Sequence, residues 1–148
     1  MQTKEEFFKY ESECKEVFNT FYKTKNWLCK RITGRANKFY DCLLQVDGRE
    51  LKIEEKARGR DYEDLLVEIE QDTETKNPGW LYYTQADYLF YMVMKKTIYA
   101  INMEKLKSHI EQFKDNYNQK ISIKGWGRTV NIAIPWHTIF YNKIGARL

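Results

Sequence analysis

The chain has 148 residues, with 25 Lys and Arg against 21 Asp and Glu and a formal net charge of +4, a size that suits one domain with a sizeable core. Hydrophobic residues make up 43% and charged residues 31%, which excludes a disordered polymer. The apolar run Leu89 to Met94 is far too short for a membrane-spanning helix, so no membrane partner is expected.

Cys14, Cys29 and Cys42 are unevenly spaced and make no disulfide framework, and the opening residues carry no apolar stretch of secretory type. An intracellular, cytoplasmic protein with reduced thiols is expected. Aromatic residues reach 16%, with eleven Tyr and four Trp, which leaves cores, interfaces and base stacking all open. Charge is uneven: +1 over residues 1–30, +3 over 31–60, −4 over 61–114 and +4 over 115–148. The basic segments suit the flanks of a polyanion, or they are chance clustering on a solvated surface.

The first element is a helix. Thr3 and Glu6 form a capping box, and Phe7, Tyr10, Cys14, Phe18 and Phe21 recur at helical spacing up to about Thr24. Glu11 falls inside that apolar stripe. A carboxylate there either bonds a neighbouring base at the stripe's edge or serves a site.

A hairpin follows, with Phe39–Val46 and Arg49–Ala57 flanking Asp47-Gly48, the signature of a two-residue type I′ turn. Pairing Val46 with Arg49 sets Asp41 opposite Glu54. Alternation puts Tyr40, Cys42, Leu44, Val46, Leu51 and Ile53 on a core face, and Asp41, Glu54 and Lys56 on the other. Glu55 lands on the apolar face, where it needs a basic partner. Two acids directly opposite repel one another. Either a cation lies between them or the face is solvated.

Arg58-Gly-Arg reads as a loop. Residues 61–74 hold seven acids and no base; Tyr62, Leu65, Leu66 and Ile69 have helical spacing, although Leu65, Val67 and Ile69 would also serve a strand. A helix is expected there. Lys76-Asn-Pro-Gly breaks the chain before the aromatic segment Trp80–Tyr83, which is read as core. A strand over Tyr88–Val93, a turn at Lys95-Lys96, a strand over Thr97–Asn102 and a helix over Met103–Phe113 come next. Short strands near Ile121–Lys124 and Val130–Pro135 flank a turn at Gly125-Trp-Gly. His109 is expected on the exposed side of its helix, and His137 is read as structural. The two have no Cys partner at ligand spacing, so zinc is not expected.

Asp41 followed after twelve residues by Glu54-Glu55-Lys56 resembles the Asp…(Asp/Glu)-X-Lys signature of the PD-(D/E)XK, or restriction-endonuclease-like, nuclease superfamily. Tyr40 stands where the family's Pro usually precedes the Asp. The resemblance implies a mixed α/β (α+β) fold with an αβββαβ core over about residues 5–93, a mixed sheet with flanking helices, and a C-terminal β elaboration over about 94–148, all in one domain. It also implies a hydrolase, a nuclease acting on DNA, with RNA as the other option. Asp41, Glu54 and the Glu55 carbonyl would hold Mg²⁺ or Mn²⁺, Lys56 would act on water or the transition state, and Glu11 matches a first-helix carboxylate used by many members. Arg58, Arg60 and Gln71 would contact nucleic acid. A binding protein that kept the fold without cleavage, for nucleic acid or for a protein partner, is the alternative. Oligomeric state stays open, a homodimer included.

Overall fold

The computed structural model describes residues 2–72, 74–124 and 127–148. The expected Gly125-Trp-Gly turn lies outside them in part, at residues 125 and 126. Helix α1 (Lys4–Thr24) starts at the Thr3–Glu6 capping box: the Thr3 hydroxyl accepts from Glu6 N at 3.1 Å, and the Glu6 carboxylate accepts from Thr3 N at 2.9 Å. A strand not anticipated from the sequence, β1 (Leu28–Arg31), follows, then a 3₁₀ turn over Gly34–Lys38.

Strands β2 (Cys42–Val46) and β3 (Arg49–Arg58) form the expected hairpin in the expected register, Val46 with Arg49 through Cys42 with Ile53. Asp47 and Gly48 both take positive φ, 50° and 77°, as a type I′ turn requires. The first strand begins later than expected. The 3₁₀ turn carries helical backbone through Phe39, so alternation starts only at Cys42. Tyr40 consequently packs with the other core, under Lys52.

Residues 61–74 do not form a helix. Strand β4 (Asp64–Glu70) occupies them, with Leu65, Val67 and Ile69 buried in strict alternation and Tyr62 exposed. Period two prevails because a neighbouring strand supplies the ladder that an isolated acidic segment lacks. The four-residue helix α2 (Trp80–Tyr83) leads to β5 (Tyr88–Val93), β6 (Thr97–Asn102) and helix α3 (Met103–Phe113) at the bounds expected. Strands β7 (Gln119–Lys124) and β8 (Gly127–Pro135), helix α4 (Trp136–Tyr141) and strand β9 (Gly145–Arg147) complete the chain.

A six-stranded sheet runs β1-β2-β3-β5-β6-β9, antiparallel except for the parallel β3–β5 pair, and a second sheet runs β4-β8-β7. This is a mixed α/β architecture. Helix α1 buries Cys14, Phe18 and Tyr22 on one face of the large sheet against Cys42, Leu44, Ile53, Phe90 and Met92. The other face carries Leu89, Tyr91 and Ile101 under β4, β8, α2, α3 and α4. The second face of the hairpin is therefore covered at Glu54, while Gln45 and Glu50 near the turn stay exposed. Cys14, Cys29 and Cys42 are free thiols. No helix among the described residues is long and apolar enough to cross a membrane.

Candidate active site

Strand β3 outlasts its neighbour. β2 pairs with it only as far as Cys42–Ile53, while β5 stays paired from Ile53 to Arg58. From Glu54 onward, one edge of β3 has lost its ladder partner in the middle of the sheet. Unpaired main-chain amides there need acceptors. Asp41 supplies one: its Oδ2 accepts from Glu55 N at 2.7 Å, while Asp41 N donates to Ile53 O at 2.8 Å. The carboxylate thus takes the place of a strand.

This notch opens into a cleft of about 320 Å³. Tyr10, Glu11 and Cys14 of α1 line one side, Asp41, Glu55 and Lys56 the floor, and Glu68, Trp80, Ser122, Thr129 and Asn131 the other side. Alternation sorts the β3 side chains. Glu55 turns under α1, where Arg31 forms an ion pair with it and the Tyr22 hydroxyl donates to it. That supplies the base its position demands. Burial pushes the Glu55 carboxyl up, and Arg31 and Tyr22 work against this.

Glu54 and Lys56 turn to the opposite face, with Lys56 Nζ 3.4 Å from Glu54 Oε1 and 5.5 Å from the centre of the Trp80 ring. Glu54 is only 6% exposed. Burial raises its carboxyl to about 7; Lys56 opposes that shift and the charge of Asp41 adds to it. Desolvation pulls the Lys56 ammonium down, but Glu54, Asp41 and Glu68 outweigh it and the net shift is upward. The result is a lysine held cationic beside a carboxyl poised to gain or lose a proton near neutrality.

The remaining expected residues divide. Glu11 stands exposed on the cleft's rim. Among the described residues no three His, Cys, Asp or Glu side chains converge as a metal ligand set, so Glu11 does not join Asp41 and Glu54. Burial along α1 begins only at Cys14, so Glu11, one turn earlier, stays in solvent. Arg58 lines the cleft, but its guanidinium pairs with Asp64 at 2.5 Å and stacks 4.1 Å from the Tyr62 ring centre. Arg60 is exposed and outside the lining. Gln71 sits in the turn after β4, its amide bonded to Asn77 O; with a strand in place of the helix, it does not reach the cleft. His109 is half-buried, with Nε2 2.8 Å from the Tyr117 hydroxyl, whereas His137 is exposed.

Glu68, Trp80, Ser122, Thr129 and Asn131 were not assigned to the site from sequence. One signal was available: opposite the alternating apolar residues Val130, Ile132 and Ile134, β8 carries the polar pair Thr129 and Asn131. Comparison with protein-family models, with curated proteins and with solved structures finds no match.

Proposed function

We propose that the protein is a metal-dependent phosphodiesterase acting on DNA through Asp41, Glu54 and Lys56. The observation that carries this reading is the notch itself. It sets Asp41 and Lys56 in the lining of a cleft, and leaves Glu54 buried beside Lys56 with Asp41's charge against it. A buried acid in that state favours a second cation besides Lys56. The chain order α1, β1, β2, β3, then β5 parallel with β3, supports the reading in part; the crossover departs from an αβββαβ core, since β4 and the four-residue α2 stand where its helix is expected.

Asp41 and Glu54 would hold the ion, with the Glu55 carbonyl as a further oxygen, a donor set that fits Mg²⁺ or Mn²⁺. The ion supplies Lewis acidity toward a phosphoryl oxygen and neutralises charge on the leaving oxygen. Lys56 places a fixed positive charge beside the developing negative charge. Asp41 has a second task, because its bond to Glu55 N holds the open edge of β3 in place.

The test is a nicking and cleavage assay on supercoiled, linear and branched DNA with Mg²⁺ or Mn²⁺. Asp41→Asn and Lys56→Ala should each lower the rate by at least about a hundredfold, the scale of losing one charge-stabilising group. Lys56→Ala should still raise its melting temperature with Mn²⁺, while Asp41→Asn should not. Wild type that cuts no substrate and melts identically with and without metal would overturn the proposal. One observation favours the alternative, binding without cleavage: Glu54 lies beside Lys56 rather than on the cleft wall. Metal-independent DNA binding with no cutting would select that reading.

A further inference from the structure

The wall of the cleft formed by β7 and β8 carries an ordered polar array that the reaction above leaves unused. Ser122 pairs directly across from Thr129, and Asn131 across from Lys120 on one side and Glu68 on the other. Alternation sends Val130, Ile132 and Ile134 into the core and turns Thr129 and Asn131 to the cleft. Asn131 is 5% exposed. Its Nδ2 directs its two hydrogens at Thr129 Oγ1, 3.0 Å away, and Ser122 Oγ, 3.1 Å away, with Lys120 O nearby at 3.4 Å.

The Lys120 carbonyl only accepts, which fixes the amide with its NH₂ toward these partners. Both hydroxyls accept from that amide, so each has its own hydrogen free to donate elsewhere. Asn131 is thus a positioning residue that holds two O–H donors at the wall. Glu68 stands on the same wall and adds an acceptor. A negative carboxylate there disfavours a phosphate. Uncharged donors beside an acceptor match a neutral group with acceptors and donors side by side, which is the hydrogen-bonding edge of a nucleobase.

In a duplex that edge is engaged in pairing. We infer that the β7–β8 wall reads the edge of an unpaired base, so that the ligand is single-stranded nucleic acid. The inference rests on the proposed function for the placement of the strand, since Lys56 and Asp41 mark the phosphate end of the same cleft. A cleft of about 320 Å³, at the small end of ligand pockets, suits one nucleotide rather than a duplex.

Binding without turnover tests it. Fluorescein-labelled single-stranded homopolymers and a blunt duplex are titrated by anisotropy in EDTA, with wild type, Ser122→Ala and Thr129→Val. Thr129→Val keeps the branched shape in β8, and Ser122 lies on an edge strand, so both variants should fold; circular dichroism checks this. Wild type should bind single strands at least about tenfold more tightly than duplex, with a preference among the homopolymers. Each variant should lose about tenfold and flatten that preference, the scale of a hydrogen bond lost inside a cleft. Equal affinity for duplex and single strands, variants indistinguishable from wild type, or no binding at all would overturn the inference. Single-strand preference without any metal-dependent cutting would uphold it and remove the hydrolytic reading. Cutting of duplex alone would do the reverse.

Discussion

Glu54 is the residue on which most depends. Its carboxyl binds a proton more tightly in the folded chain, at about 7, than at its ordinary 4.5. Between those values the folded state holds more protons than the unfolded one, so stability falls as pH rises through the window and levels off above it. Chemical denaturation at pH 5 and pH 8 should show wild type losing up to about 3 kcal/mol. Glu54→Gln should flatten this dependence and be the more stable protein at pH 8. Mn²⁺ should restore the wild type at high pH and leave the glutamine variant unchanged. Asp41 gives a sharper contrast. Asparagine keeps an oxygen for Glu55 N, so Asp41→Asn should hold or raise stability, whereas Asp41→Ala orphans that amide at a cost of about 1–3 kcal/mol in urea denaturation. Beneath α1, Arg31→Met should cost about 3 kcal/mol, because Glu55 would keep a buried charge with the Tyr22 hydroxyl and the weakly donating Cys42 thiol but no cation paired with it.

Among the elements, β4 and α2 set the cleft's far wall, and Gly79 is where they meet. A Cβ at that position would stand 2.2 Å from Glu68 O, a main-chain atom that cannot give way. Gly79→Ala should therefore cost about 2 kcal/mol or more by overpacking, read as a lower urea midpoint. It should also weaken nucleic-acid binding, because Glu68 and Trp80 both move. The hairpin was legible in the sequence since Asp47-Gly48 dictates the turn and the turn dictates the register. Strands β5 and β6 and helix α3 were legible for a related reason: a buried apolar run and an amphipathic repeat each admit one reading. In 61–74 the repeat admitted two, and the choice came from pairing with β8, a segment some 65 residues further along. Strand β1 gave less signal still. Leu28 is largely exposed, and these four residues are extended because β2 offers them an edge.

At the scale of the whole molecule, segments 31–60 and 115–148, each basic in sum, meet at the cleft through Lys56 and Arg58 of the first and the uncharged Ser122, Thr129 and Asn131 of the second. If a polyanion lies there, affinity should fall at least about tenfold between 50 and 200 mM salt, as counterions cease to be released. Anisotropy titrations across that range check it, and a flat response would argue that the charge clustering is incidental.

The sequence by itself determined what depends on neighbours along the chain: the capped first helix, the hairpin and its register, and through that register the side of β3 on which Glu54, Glu55 and Lys56 each fall. Those follow from backbone geometry and a period of two. Tertiary structure decided the rest. Whether the Glu54 face was solvated or covered depended on a second sheet whose strands are distant in sequence, and that cover is what raises the Glu54 carboxyl. It also decided that Glu11 remains at the rim, that Gln71 lies elsewhere and that Ser122, Thr129 and Asn131 face Lys56 across the cleft. Burial and long-range juxtaposition arise from packing between segments, and no local pattern encodes which segments meet.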